Sequence, residues 1–319
     1  MSFPAVTAKK RLAGKKTSVM VRLRNDLNKN GCLYLMLLPV VAFFLVFHYY
    51  PMYGAQIAFK DFSPGLGILG SPWVGFKHFI SFFESRYFER VVRNTLLINL
   101  KDIIFGFPAP ILLALMINEV TNRYYKKAVQ TISYLPHFVS QVVMCGLLFE
   151  FCSLDGLFNS IRNFFGLEST AILQHAEWFQ GIYVASGIWQ GVGWGSIIYL
   201  SALASIDQEQ YESAIIDGAG KLKQMLYITL PNIVPTIMIM LILRIGQMMN
   251  IGVEKVMLLY NPMTYETADV ISTFVYRKGI LEASYSFSSA VGLFNSVINF
   301  VLLVTVNLVS KKTTETSLW

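Results

Sequence analysis

Six long apolar runs separated by polar segments of unequal length organise this chain, at residues 31–52, 91–118, 132–151, 182–204, 233–252 and 287–309. A helix needs roughly 20 apolar residues to cross the hydrocarbon core of a bilayer, and each run is of that order. A transmembrane β-barrel would instead show short alternating segments of about ten residues, and the runs do not alternate. The pattern predicts an all-α, polytopic membrane helix bundle of about six transmembrane helices. Residues 31–309 form one transmembrane domain, with tails at 1–30 and 310–319.

Between the fourth and fifth runs, residues 206–231 read IDQEQYESAIIDGAGKLKQMLYITLP, too polar to be lipid-solvated and too regular to be a plain loop. Asp207 is placed to cap a helix, with Gln210 in the capping-box position. Tyr211, Ala214 and Ile215 share one face at helical spacing. Gly218 is free to take positive φ and reverse the chain. Leu222, Met225, Leu226 and Thr229 make a second stripe, and Pro231 marks entry to the fifth run. Two short amphipathic helices broken at Asp217-Gly218 are expected, a structured knob suited to being gripped from outside the membrane.

Composition and charge add sidedness. Hydrophobic residues make up 54% of the chain and charged residues only 14%, against about 25% charged in a soluble domain. Eight Lys or Arg precede the first run, and placing them inside puts fifteen of the 26 on that side and nine opposite, with Lys101 and Arg244 inside runs. By the positive-inside rule, both termini and the 206–231 knob are expected in the cytoplasm of a multi-pass protein. The net charge of +7 then reflects topology and contact with anionic lipid. Nucleic-acid binding is a poor reading, because the basic tail lacks interleaved aromatics. The first run is too long for a cleavable signal and is expected as an uncleaved span.

The connecting segments differ in character. Residues 53–90 are rich in Gly, Pro and aromatics, with Trp73, Phe76 and Phe79 as interfacial anchors. Residues 153–180 are expected to hold a short interfacial helix at 157–165, and 253–286 form a third outer loop. There Tyr265, Asp269, Tyr276 and Arg277 are candidates to meet an extracytoplasmic protein, with ordinary loop packing slightly preferred. Cys32, Cys145 and Cys152 read as small buried hydrophobes, and the four histidines have no ligand spacing, so no metal or disulfide framework is implied. Gly14-Lys15-Lys16-Thr17 lacks the spacing needed to cradle phosphate. No catalytic set is visible, and any ATP hydrolysis would belong to another chain.

Polar groups within spans are costly and mark pathways or helix contacts. Arg244, Gln247 and Asn250 form a stripe in the fifth run. Ser288, Asn295 and Asn299 share a face of the sixth. The fourth run carries Trp189, Gln190 and Trp194 among Gly187, Gly191, Gly193 and Gly195, small residues that permit close helix approach. Hydroxyl partners beside aromatic faces suit an oligosaccharide path, and an acidic sugar would use Arg244. Interhelical hydrogen bonding accounts for the amides equally well, and for Lys101 and Asp102 it is the better reading.

The knob resembles the cytoplasmic "EAA" loop of ABC-importer permeases: Glu, Ala, Ala, three residues, Gly, nine residues, Ile, one residue, Leu-Pro. Glu212, Ser213, Ala214, Gly218, Ile228, Leu230 and Pro231 fall on that spacing, with Ser213 replacing the first alanine. YPMYGAQIAFKDF, YLPHFVS, IIYLSALASID and ADVISTFVYRKG are similar to a carbohydrate branch that supplies permeases of polysaccharide and complex-oligosaccharide importers, the alginate importer among them. The resemblance implies a type I ABC importer permease fold in the bacterial cytoplasmic membrane. It also implies a second homologous permease, two ATPase subunits that bind ATP and Mg, and an extracytoplasmic solute-binding protein. Glu212, Ser213, Ala214, Asp217, Gly218, Ala219 and Pro231 would form the ATPase-coupling element. Alternatives are an importer permease for amino acids, metals or other small solutes, or a secondary transporter. The latter should show coupling carboxylates and repeated halves, whereas Asp102 stands alone and no repeat is visible.

Overall fold

The computed structural model describes the backbone of residues 19–314, 317 and 318. Lys9, Lys10, Arg11, Lys15 and Lys16, which carry most of the basic-tail expectation, lie outside the described residues. The chain divides into two compact units, Met1–Ala55 and Gln56–Trp319. Among the described residues there is no strand, only an isolated antiparallel bridge between Lys60 and Trp73.

In the first unit, helix α1 (Val19–Phe44) starts inside the segment expected as tail and breaks helical geometry at Asn30 (φ −116°, ψ 17°). That break falls at the predicted start of the first apolar run. Past it the helix is apolar on every side, the pattern of a membrane span. Cys32, expected to be buried, is exposed on this helix. A π turn at Leu45–Tyr49 follows, just ahead of Pro51.

The second unit opens with a cap that includes helix α2 (Lys77–Phe83). The Lys60 ammonium donates to the Ile68 carbonyl at 2.7 Å, and Phe59 stacks on Trp73 with ring centroids 5.6 Å apart. The spans come next. Helix α3 (Phe88–Glu119) carries a π turn at Asp102–Gly106. Helices α4 (Arg123–Tyr134) and α5 (Gln141–Phe151) are separated by a short 3-10 turn, and α6 (Leu157–Phe164) is a surface helix close to the one expected at 157–165. Then come α7 (Ala176–Ala204), α8 (Gln208–Ile216) and α9 (Lys221–Ile245). Two short helices, α10 (Val253–Leu259) and α11 (Ile271–Tyr276), precede the long α12 (Tyr285–Thr314).

By length and apolarity four helices among the described residues qualify as membrane spans, and a fifth does if the bent pair Arg123–Phe138 and Gln141–Phe151 counts as one. Helix α7 has 29 residues, at 1.5 Å rise each long enough to cross, but with Gln190 and five glycines it is not among the four. The third expected span is therefore not straight: its halves meet at 99°. Pro136 disfavours helix at the residue before it, and the Ser140 hydroxyl accepts from the Val143 amide at 3.3 Å to start the second half.

Residues 253–286 depart most from expectation. Read as an outer loop, they instead supply much of the core: Val256, Ala268, Val270, Ile271 and Phe274 are fully buried against α3, α5 and α12. Asp269 has no solvent exposure. Its carboxylate accepts from Arg90 at 2.6 Å, Arg277 at 2.8 Å and the Thr273 hydroxyl at 3.0 Å. A buried carboxylate held by two guanidinium groups is fastening, so Asp269 is not available to a docking protein.

Candidate functional site

Two places combine built geometry with exposed chemistry: the α8–α9 hairpin and a cavity among α3, α7 and α9.

The hairpin is shaped by local rules. Asp207 caps α8, its carboxylate accepting from the Glu209 amide at 3.0 Å. The reciprocal half of the capping box is absent, because the Gln210 side-chain oxygen accepts from Asn232 at 3.0 Å instead. Helix α8 ends in a Schellman motif: the Gly218 amide donates to the Ile215 carbonyl at 3.0 Å and the Ala219 amide to the Ala214 carbonyl at 2.8 Å. That motif puts its reversing residue in the left-handed region, and Gly218 has φ +74°.

The second expected short helix is not separate. It is the start of α9, which runs through a π turn at Met225–Thr229 and past Pro231 directly into the fifth span. The Tyr211 hydroxyl meets the Thr229 hydroxyl at 2.9 Å. Tyr211, Met225, Ile228 and Leu230 pack on a core of Ile111, Leu115, Tyr199, Leu203 and Ile233. The hairpin is thus fixed to α3, α7 and α9 at once. Its outer side carries Glu212, Ser213, Asp217 and Gly218, with Ala214 and Ala219 half-buried and Pro231 exposed. Ile215 and Leu222, expected on packed stripes, are exposed instead, and Ile216 is 86% exposed. Apolar tips beside the acidic Glu212 and Asp217 on a rigid support make a docking surface.

The cavity, of about 430 Å³, is lined by Asp102, Gly187, Gly191, Tyr199, Arg244 and Gln247 among others, within the size range of small-molecule sites. Arg244 of α9 pairs with the Asp102 carboxylate of α3. Of the residues expected along a substrate path, Arg244 and Gln247 meet here. Gln190 faces a smaller adjoining cavity that shares the Gly187 and Gly191 wall. Its amide donates to the Val139 carbonyl at 2.9 Å, satisfying backbone freed at the break before α5. Trp194 stacks on His137 with centroids 4.5 Å apart. Trp189 lines a separate, largely apolar cavity of about 630 Å³ beside α5 and α6.

The three asparagines belong together, but with one another. Asn295 and Asn299 of α12 donate to the Asn250 side-chain oxygen at 2.9 and 3.1 Å. The Asn299 oxygen accepts from the Met249 amide at 2.8 Å. They secure the chain where α9 stops at Ile245, short of the expected end at residue 252.

Lys255, not singled out in the sequence, is 6% exposed. Its ammonium donates to the Tyr183 carbonyl at 2.7 Å and lies 4.4 Å from the Tyr183 ring centroid. A lysine at the edge of the apolar string VMLLY, residues 256–260, was the available signal. Lys101 donates to the Gln180 side-chain oxygen at 2.8 Å.

Residues 106–315 match the model of the family described as binding-protein-dependent transport system inner membrane component. The chain belongs to this family. It is 46% identical over 301 residues to Protein LplB of Bacillus subtilis (strain 168), covering 94% of this chain and 93% of that one. It is 44% identical over 299 residues to the polygalacturonan/rhamnogalacturonan transport system permease protein YteP of the same organism, covering 93% of each. Among solved structures, a chain of a bacterial ABC transporter involved in import of the acidic polysaccharide alginate matches with TM-score 0.86 and 46% identity, over 92% of this chain and 99% of that one. A chain of the bacterial alginate ABC transporter in complex with an alginate pentasaccharide-bound periplasmic protein matches with TM-score 0.86 and 45% identity, over 93% and 100%. The fold is that of an importer's inner-membrane component, and this chain is one.

Proposed function

We propose that this chain is a permease subunit of an ATP-driven ABC importer that moves oligosaccharides, acidic ones in particular, into the cell by alternating access. It would work beside a second, homologous permease, two ATPase subunits that bind ATP and Mg, and an extracytoplasmic solute-binding protein. Both termini and the α8–α9 hairpin would lie in the cytoplasm.

The observation that carries this reading is the hairpin. A Schellman-terminated helix with exposed Ile215 and Ile216 beside Glu212 stands on a core built from three spans. A partner that grips it moves those spans with it. Gly218, Asp217 and Ala219 form the reversal, and Glu212 offers one anionic handle to a basic residue of an ATPase cleft. The names of similar proteins, which concern polygalacturonan and alginate, support the carbohydrate class.

The test is purification with the products encoded alongside it, then measurement of ATP hydrolysis with binding protein loaded with candidate solutes. Stimulation by oligosaccharides is expected. Stimulation by an amino acid or a metal ion instead would overturn the carbohydrate assignment. A disulfide cross-link from Glu212→Cys to the ATPase subunit checks the coupling role.

A further inference from the structure

The charges around the cavity do not balance. Arg244 pairs with Asp102, while Lys101 and Lys255 have no carboxylate within salt-bridge distance among the described residues. Asp102 is the one carboxylate that lines the cavity, while Lys101 is held at Gln180 off its wall and the acid next to Lys255 in the chain, Glu254, is exposed. Gly187 is eleven residues into α7, which at 1.5 Å per residue places it about 16 Å from that helix's start, well within a bilayer's depth. Cations there are costly and ordinarily pair. Lys255 is the most pointed case: its ammonium is buried, and its hydrogen bond goes to a neutral carbonyl.

Gly187 connects Lys255 to the cavity. A Cβ built on Gly187 would lie 3.4 Å from the Lys255 ammonium, and Gly187 lines the cavity that Arg244 and Asp102 share. Only a backbone wall separates the buried charge from the open space. The ion pair itself is reachable from that space, with side-chain exposures of 46% for Arg244 and 20% for Asp102.

We propose that Asp102 is an internal stand-in for a substrate carboxylate, and that Arg244, backed by Lys255, reads the charge of an incoming uronate. The inference rests on the oligosaccharide reading above. A hexuronate carboxylate entering the cavity takes the place of Asp102 on the Arg244 guanidinium. Like replaces like, so the cavity-facing guanidinium keeps an anionic partner throughout the exchange. Asp102 is released near Lys101, its neighbour in the chain, and Lys255, two cations without a salt-bridge partner among the described residues. A neutral sugar brings no charge to compete with Asp102 and leaves Arg244 occupied. Selectivity comes from an exchange that only an acid can perform. Arg244 touches substrate, and Lys255 is a positioning residue that acts through the field across Gly187.

The experiment uses the complete importer in proteoliposomes, with one binding protein throughout. Uptake is compared for a uronate oligosaccharide and for the same oligosaccharide with its carboxyls reduced to primary alcohols. The readout is the ratio of the two specificity constants. The double variant Asp102→Asn/Arg244→Gln keeps a hydrogen-bonded pair of similar shape, so insertion is preserved. Its acid-to-neutral ratio is expected to fall about tenfold or more, the range of one charge-assisted hydrogen bond. Lys255→Met should lower the ratio several-fold and Lys255→Arg should restore it, which a purely structural lysine would not do. If both variants keep the wild-type ratio, the proposal is overturned while the oligosaccharide reading stands, because sugars are still carried. If the wild type carries neither sugar, the oligosaccharide reading falls and takes this inference with it.

Discussion

Gly193→Ala adds one methyl group where α7 crosses α4, and the surroundings fix its effect. The new Cβ would lie 2.0 Å from the Ser133 carbonyl oxygen, 2.3 Å from its carbon and 2.9 Å from the Tyr134 nitrogen. Ordinary van der Waals contact begins at 3.4 Å, so the closest approach is 1.4 Å too short. All three neighbours are backbone, and no rotamer change relieves the clash. The helices must separate, and the separation acts on the Gln190–Val139 bond less than one turn away on α7. Overpacking of this kind costs about 1–3 kcal/mol, and the upper end applies where the obstacle is main chain.

Gly181→Ala on the same helix is the control. A Cβ there meets nothing within 4 Å, and Ala exceeds Gly in a helix interior by about 0.8–1 kcal/mol. The two variants make the same chemical change with opposite expected sign. Thermal melts of the purified protein in detergent should show Gly193→Ala several degrees below wild type and Gly181→Ala at or above it. Equal melting temperatures for the two would refute the claim that α7 and α4 pack backbone to backbone at Gly193.

Other outcomes rest on single contacts. At Gly218, where φ is +74° and space is open, Val costs roughly 1–2 kcal/mol of backbone strain and Asn much less; Gly218→Val should raise ATP hydrolysed per sugar carried, with Gly218→Asn near wild type, and identical ratios would sink the hairpin's coupling role. Asn299→Leu leaves the Met249 amide without its acceptor, a loss of about 1–3 kcal/mol, checked as a fall in melting temperature. A hydrogen bond from the Lys77 ammonium at 2.7 Å holds the Asp61 carboxyl below its ordinary 3.8. This ionised fastening of the cap is present above pH 3.8 and is lost as pH falls through the lower folded value. Lys77→Met should raise the Asp61 midpoint measured by carboxyl NMR, and an unmoved midpoint would discount the pair.

The hairpin was legible because its determinants are local. The cap at Asp207 and the reversal at Gly218 each act within a few residues and took the expected form, while the break expected at Pro231 did not, because the helix runs through it. The break in the third span was written in Pro136 and Ser140, yet hydropathy averaged over 20 residues passes across both. Residues 253–286 misled for a related reason: hydropathy reports affinity for lipid, while Asp269, Thr273 and Lys255 are buried among protein groups that satisfy them. The polar stripe of the fifth run does not share one helix face, because the helix ends at Ile245 before Gln247 and Asn250, and of the two readings weighed for the asparagines the structure shows the interhelical one. An amide that faces a cavity and an amide that bonds Met249 have the same sequence signature, and only packing tells Gln247 from Asn299.

Proline placement joins the two sites in a way no single motif states. Three of the four π turns among the described residues, Leu45–Tyr49, Asp102–Gly106 and Met225–Thr229, stand ahead of Pro51, Pro108 and Pro231, while the fourth, Arg277–Leu281, has no proline after it. A proline lacks the N–H that would bond the carbonyl four residues back and crowds that carbonyl. Those carbonyls belong to Phe47, Ile104 and Tyr227, each at the centre of its π turn. The widened turn relieves the crowding, as π bulges in helices do. It also re-aims its neighbours. In α3 the Phe107 amide reaches back to the Asp102 carbonyl at 2.8 Å, and Asp102 is turned toward Arg244 at the cavity. In α9 the turn brings Thr229 under the Tyr211 hydroxyl, clasping the hairpin. Replacing Pro108 or Pro231 by Ala removes the reason for the wide turn, so each helix is free to tighten to α geometry and rotate its two halves against each other. Pro108→Ala should therefore change the acid-to-neutral uptake ratio, and Pro231→Ala should change the ATP used per sugar. Were each proline to affect only melting temperature, the wide turns would be accommodations to proline and not the means by which Asp102 and Thr229 are aimed.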